Sequence, residues 1–529
     1  MAHLALGWTL FGLFLLISFI LSWCFVSWLQ SVRDGEKSFA ANLIVSLCLG
    51  VTVVSAVLLP VDVYIVSSMK NADGTFADWA KDPQDRELVM FKIKVFYYVI
   101  FGLILGLCFL ILPLLFFYHA TTPLADDEDE EIEESTGRKF GRALKYTTAS
   151  IVLFVTLILL GIFLPFEESQ SWEGDLKTYF EESWNTFEAN KGFEMVSFLI
   201  NSISVVGLGL LVFYTGIGIS SLPCKLIRGT NQVSNLIGQL EKDISGIEER
   251  LATLSEHESE LNTFEREEMA RLQTESSSLQ DHRNQLMESS RGCFSTCYRL
   301  CRPFQVVFGL VFGLLGMLIF AALILTNIDK AMHSSAKKGY VLNNGTLPNP
   351  MDITLVALQK VFPLDYLFYS FMVLFFLITS ISGLQQIGIR FMWLPLYKIG
   401  AHATKPQALA LMSFNLLLML VSSNVIFFSI APDYSTYGSQ RYVQFDVETN
   451  NTIIEHCDDA HAPQDECTAT MIAHFLMTFH TKAWIFGAVY YWLIWIFLLV
   501  LFGRAALELF QCSRRRVTMP DEEELLNDE

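Results

Sequence analysis

Nine runs of some 20 or more mostly apolar residues punctuate the chain. Each is long enough to cross a bilayer as a helix, which needs about 20 such residues. They cover approximately Ala5–Trp28, Phe39–Val66, Ile93–Tyr118, Tyr146–Phe166, Glu194–Ser221, Pro303–Asn327, Phe362–Ile389, Gln407–Pro432 and Ala483–Gly503. The first run lacks a basic flank and a small-residue cleavage site, so it reads as a retained signal anchor. The polar stretch between the fifth and sixth runs has a different period. Val233, Ile237, Leu240, Ile244, Ile247, Leu251 and Leu254 alternate spacings of three and four, which is an apolar seam on a helix. A second seam runs through Met269, Leu272, Leu279 and Leu286, with a break near Glu258–Phe264 and a candidate N-cap at Asn262 or Thr263. The predicted fold class is all-α: a polytopic bundle of about nine transmembrane helices with a cytosolic antiparallel helical hairpin. The predicted divisions are helices one to five over 1–223, the hairpin over 224–302, helices six to nine over 303–503 with a lumenal loop at 433–482, and a cytosolic tail over 504–529. The hairpin reads equally as a solvated connector or as a docking surface.

Composition narrows the function classes. Of 529 residues, 52% are hydrophobic and 17% charged, against about 25% charged in soluble domains. The net charge of −19 excludes nucleic acid as a partner, because phosphate neutralisation needs a basic face. Ten cysteines are too few for a disulfide scaffold. No nucleotide-binding glycine loop, HExxH or GxSxG motif occurs. An enzyme is therefore not expected. No protein metal site or covalently bound cofactor is expected either. GxG occurs only as Gly207-Leu-Gly209 and Gly216-Ile-Gly218 inside the fifth run, with no strand before it.

Charge orients the bundle. With the N-terminus lumenal and the C-terminus cytosolic, cytosolic segments hold 23 Lys and Arg and lumenal ones 12, as the positive-inside rule requires. The two sequons, at Asn344 and Asn450, then fall in lumenal loops, where glycosylation occurs. Cys457 and Cys467 share one lumenal loop, where an oxidising compartment favours a disulfide between them. On the cytosolic side, Asp126–Glu134 is an acidic run that reads as a solvated strip. Arg138, Lys139, Arg142 and Lys145 follow it at the expected headgroup level, so membrane lipid is a predicted partner. Cys293, Cys297 and Cys301 form a juxtamembrane stripe suited to palmitoylation or to plain reduced thiols. In the tail, Asp521 with Leu525 and Leu526 resembles an acidic dileucine sorting signal, read by clathrin adaptor complexes.

Polar groups inside the spans are the candidate chemistry, because they are costly there. Asp62 follows Pro60 near the lumenal end of span two, and Asp365 opens span seven after Pro363. Both read either as interfacial carboxylates or as the lining of a lumen-facing cavity, with the prolines opening the helices. Ser197, Asn201 and Ser204 share a face of span five, and Asn415, Ser422 and Ser423 a face of span eight. Asp62, Asp365, Asn201 and Asn415 are the candidate substrate-pathway residues. Interhelical hydrogen bonding is the alternative for the Asn and Ser faces. Gly102/Gly106 and Gly309/Gly313 are GxxxG pairs that predict close helix packing.

Several stretches resemble the limb-region membrane protein family. They include Leu59-Pro-Val-Asp-Val63, Ser221-Leu-Pro-Cys-Lys-Leu-Ile-Arg-Gly-Thr230, Asn327-Ile-Asp-Lys-Ala331, Val361-Phe-Pro-Leu-Asp-Tyr366 and Ala431-Pro-Asp-Tyr434. The resemblance runs through nearly the whole chain in order. Where the family member carries a sequon, this chain has Asp73-Gly-Thr75. The resemblance implies a nine-span lysosomal protein required to move cobalamin (vitamin B12), its cargo, from lysosome to cytosol, as transporter or as obligate escort of a lysosomal ABC half-transporter. It also implies hand-over to a cytosolic cobalamin-processing protein. An alternative is a receptor or endocytic adaptor at the plasma membrane that recruits clathrin adaptors. A homo-oligomer stays open.

Overall fold

The computed structural model describes residues 2–30, 38–120, 136–163, 184, 192–228, 232–255, 269, 272–273, 276–277, 279–280, 283, 294–336, 339–340, 347–361, 363–391, 394–397, 399–400, 404–446, 451–457, 463 and 466–518. Its contacts divide the chain into two compact units, Met1–Ser220 with Leu315–Glu529, and Ser221–Leu314. The chain folds as an all-α polytopic bundle. Among the described residues, nine helices are long and apolar enough to cross a membrane.

The helices in order are α1 (Ala2–Leu29), α2 (Phe39–Ser67), α3 (Pro83–Gly106), α4 (Leu112–Ala120), α5 (Thr136–Phe163), α6 (Phe193–Arg228) and α7 (Gln232–Ser255). Then come α8 (Phe294–His333), α9 (Pro350–Gln359), α10 (Leu364–Ile387), α11 (Pro406–Ile430), α12 (Pro432–Tyr437), α13 (Met471–Lys482) and α14 (Trp484–Thr518). Two antiparallel hairpins are the strands, β1 (Ile389–Phe391) with β2 (Leu394–Tyr397), and β3 (Arg441–Asp446) with β4 (Asn451–His456).

Start signals explain several boundaries. Ser38 caps α2 by accepting from the Ala41 amide at 3.3 Å. Asp82 precedes Pro83 and accepts from Gln84 at 3.0 Å, a cap followed by proline at the first helical position. Asn349 does the same for α9 through Met351 at 2.9 Å. Pro60 does not open α2, which runs unbroken through it. Pro113 has the larger effect. It lacks the N–H that would bond four residues back, and the turn before it widens into a π-helix at Leu107–Ile111, with the Leu112 amide donating to Leu107. α3, this segment and α4 together make the third span.

The core is built around α11. It is buried along nearly its whole length and packs against α2, α4, α10 and α12. Its partner α2 is buried from Ala41 to Ser67 with few exceptions.

Close helix approach occurs at glycines other than the GxxxG pair in span three. A Cβ at Gly102 or Gly106 would meet nothing within 4 Å, which corrects the packing role expected of that pair. A Cβ at Gly218 of α6 would run into the Thr379 carbonyl of α10, and one at Gly383 of α10 into the Tyr214 carbonyl of α6. Gly207 likewise faces Leu418 and Ser422 of α11. The α6–α10 seam is reinforced by the Thr215–Ser380 hydroxyl pair at 2.7 Å.

In the second unit, α7 is helical through the first predicted seam, and Ile244 is buried on it. Gln280 donates to Glu248 at 3.0 Å, so the two seams lie side by side here. Gly309 packs on Leu226 and Ile227. The seam break at 258–264 lies outside the described residues, as do the acidic run, Cys293, Asn344, Asn450, and the tail from Met519 with Asp521, Leu525 and Leu526. Cys297 and Cys301 lie in α8.

Candidate functional site

The loop between α12 and α13 sets one end of the site. β3 and β4 pair from Arg441–His456 to Asp446–Asn451. Cys457 follows β4 and is bonded to Cys467. Tyr442 packs on this bridge, and the Cys457 amide donates to Gln440. The staple also reaches a neighbouring loop. Lys70, its side chain 1% exposed, donates to Glu466 at 2.7 Å and to Gly74 at 3.2 Å, with its ammonium over the Phe76 ring. Two polar partners and an aromatic face compensate the lost hydration of this cation. In the same loop Asp73 accepts from both the amide and the hydroxyl of Thr75. Those bonds, the side-chain one first, lower its carboxyl below the usual range. The residue that replaces the expected sequon thus forms an Asx turn. A Cys457→Ser change should free an alkylatable Cys467 thiol and cost about 2–3 kcal/mol for a loop this short. Mass-spectrometric thiol labelling and a melting curve would read both, and absence of a new thiol would contradict the bridge.

Beneath this end, buried carboxylates sit at helix N-termini. Asp62, 0% exposed, reaches from α2 to α13 and accepts from the Ile472 amide at 3.2 Å. Its same oxygen accepts from Tyr97 of α3 at 3.3 Å. Thr470 caps the same helix through Ala473, so α13 has one local cap and one borrowed from 410 residues earlier. Asp352 of α9 does for α12 what Ala431, with no side-chain acceptor, does not: it accepts from the Tyr434 amide at 2.9 Å. Asp365 lies in the first turn of α10, 3% exposed, and accepts from the Tyr434 hydroxyl at 3.2 Å. Burial first, and then the Asp365 charge, holds the Tyr434 phenol well above its ordinary range, so it remains a donor. Anions at helix N-termini meet unsatisfied N–H groups and the positive dipole end. That accounts for one oxygen of each carboxylate. The other oxygens of Asp62 and Asp365, and the hydroxyls of Tyr366 and Tyr369, are buried without a hydrogen-bond partner.

The layer continues sideways. Asn349 donates to Thr326 of α8 at 2.9 Å and to the Ile430 carbonyl at 2.8 Å. Lys330 of α8 donates to Ser429 of α11 at 3.2 Å. A polar layer therefore crosses the bundle over the C-terminal end of α11, and the structure brings Asp62 and Asp365 into it. Sequence reasoning missed Asp352, Tyr97, Tyr434 and Lys330. Only Lys330, ionisable and adjoining a long apolar run, carried a signal in the sequence.

The other two candidate pathway residues lie apart from that layer. Asn201, 1% exposed, donates to Ser197, and its oxygens accept from Tyr490 of α14 at 3.2 Å and 2.9 Å. The two bonds from Tyr490 tie α6 to α14. Asn415 is buried within α11. Ser422 donates to the Ser204 carbonyl at 2.8 Å. Asn201 and Ser422 thus make interhelical bonds, as polar groups between membrane helices commonly do, whereas Ser423 bonds the Leu420 carbonyl of its own helix. Among the described residues, no three His, Cys, Asp or Glu side chains converge as metal ligands.

Comparison with known proteins places this architecture. Residues 8–307 match the family model described as LMBR1-like membrane protein. The chain is 32% identical over 510 residues to the lysosomal cobalamin transport escort protein LMBD1 of Xenopus laevis, covering 94% of this chain and 92% of that one. It is 34% identical over 519 residues to the protein of the same name from Gallus gallus, with 94% and 92% covered. It is 31% identical over 540 residues to the probable lysosomal cobalamin transporter of Nematostella vectensis, with 98% and 96% covered. No solved structure matches.

Proposed function

Since the chain belongs to the LMBR1-like membrane protein family, we propose that it is a lysosomal multi-pass protein required to export cobalamin from lysosome to cytosol. It acts as the escort of a lysosomal ABC half-transporter rather than as the conduit. The end-to-end similarity to relatives named as cobalamin transport escort proteins carries this reading. The engaged side chain of Asn201 supports the escort role, because its amide nitrogen is bound to the Ser197 carbonyl of its own helix and its amide oxygen helps hold α6 on α14. In this reading the N-terminus and the stapled loop face the lumen, Asn344 and Asn450 carry glycans, and the C-terminus is cytosolic. Hand-over to a cytosolic cobalamin-processing protein completes the path.

The test is cobalamin flux in liposomes. The purified chain alone should give no saturable uptake. Adding the ABC half-transporter with ATP should give uptake that depends on both proteins. Saturable uptake by this chain alone would overturn the escort role and make it the transporter.

The tail supplies the address. Asp521, Leu525 and Leu526 are proposed to recruit clathrin adaptors, which deliver the protein from the cell surface to lysosomes. Leu525→Ala with Leu526→Ala should move most of the protein to the plasma membrane, read by surface biotinylation. An unchanged distribution would remove the sorting role.

A further inference from the structure

Asn327 lies three residues before Lys330 on α8, so the two side chains are neighbours on one helix face. Asn327 is 0% exposed, and neither its Nδ2 nor its Oδ1 has a hydrogen-bond partner. An orphaned buried amide is costly, because it has given up its water partners without replacing them. The Lys330 ammonium carries three N–H donors and bonds one neutral hydroxyl, Ser429, at 3.2 Å. That hydroxyl donates onward to the Val425 carbonyl. Lys330 itself is half-buried, which leaves a way in. Among the described residues, the spare donors on Lys330 and Asn327 have no carboxylate as a hydrogen-bond partner. Spare donors around a cation suit an oxyanion.

We propose that Asn327 and Lys330 form an oxyanion site between α8 and α11, and that it takes a phosphate group. Ser429 holds the ammonium in place, and the free amide oxygen of Asn327 accepts from a neighbouring N–H or O–H of the ligand. If the cobalamin reading above holds, the phosphodiester of cobalamin, with its rim of primary amides, offers both kinds of partner. A phospholipid headgroup offers the same phosphate.

The experiment uses the full chain in maltoside micelles, with inorganic phosphate as the probe and the melting temperature as the readout. Phosphate should raise the melting temperature of the wild type in a dose-dependent way. Lys330→Gln should weaken the apparent phosphate affinity about tenfold or more, the loss of a charge-assisted contact, while Lys330→Arg should retain it. Asn327→Leu should melt higher than wild type without phosphate, since it removes an orphaned polar group, and should lose the phosphate response. No phosphate response in the wild type, or an equal response in all variants, would overturn the site. Competition arms then identify the source. Displacement by cobalamin but not by cobinamide, which lacks the phosphodiester, assigns the site to the cargo. Displacement by an anionic phospholipid alone assigns it to a headgroup, and leaves the export proposal to stand or fall on its own flux test.

Discussion

A Gly383→Val chain should fail to yield folded protein. The new side chain meets the Tyr214 carbonyl of α6, which is backbone and cannot rotate away. The mirror contact at Gly218 means that α6 cannot simply shift toward the other side. Overpacking typically costs about 1–3 kcal/mol, and more where backbone must give way, against a total of about 5–15 kcal/mol. It would also pull apart the Thr215–Ser380 pair. Gly102→Val is the control, because nothing lies within 4 Å of its new Cβ. Fluorescence-detected size exclusion of tagged chains should show a monodisperse peak for the control and aggregate or no peak for Gly383→Val. A normal peak for Gly383→Val would contradict the packing.

Asp62 offers the second large effect, and its two substitutions separate structure from chemistry. Asp62→Ala should lower stability by about 2–4 kcal/mol, since the Ile472 amide and the Tyr97 hydroxyl both lose their buried acceptor. Asp62→Asn keeps a carbonyl that accepts both bonds, so its melting temperature should stay near wild type. Under the escort reading, cobalamin release from lysosomes should also survive Asp62→Asn. Normal melting with lost export would instead give the carboxylate a place on the substrate path.

The legible and the hidden parts of the fold divide by range. The spans follow from uninterrupted apolar length, which is local, and all nine can be placed from the sequence to within a few residues at most ends. The third span starts ten residues earlier, at Pro83, because the Asp82 cap and Pro83 begin a helix in polar sequence. The short helices α9 and α12 lie outside any long apolar run, so a sequence reading shows neither the helix that carries Asp352 nor the one it caps. The partners of Asp62 and Asn201 lie 410 and 289 residues away, and no spacing rule reaches that far. Glycine spacing was misleading for a related reason. Gly102 and Gly106 have the pattern without the neighbour, whereas Gly218 and Gly383 have the neighbour without the pattern. β3 and β4 did leave a trace, in the β-branched and aromatic residues Tyr442, Val443, Ile453 and Ile454, which an all-α reading passes over.

The order of synthesis gives the buried α11 one more meaning. It is the eighth of nine spans to leave the ribosome, yet α2 and α4, made some 300 residues earlier, pack directly on it. Until it arrives, the early helices must wait in the bilayer with their mating surfaces turned to lipid or to an insertion chaperone. A chain cut short before Pro406 would therefore be membrane-inserted but hollow, and quality control would meet an assembly lacking its axle.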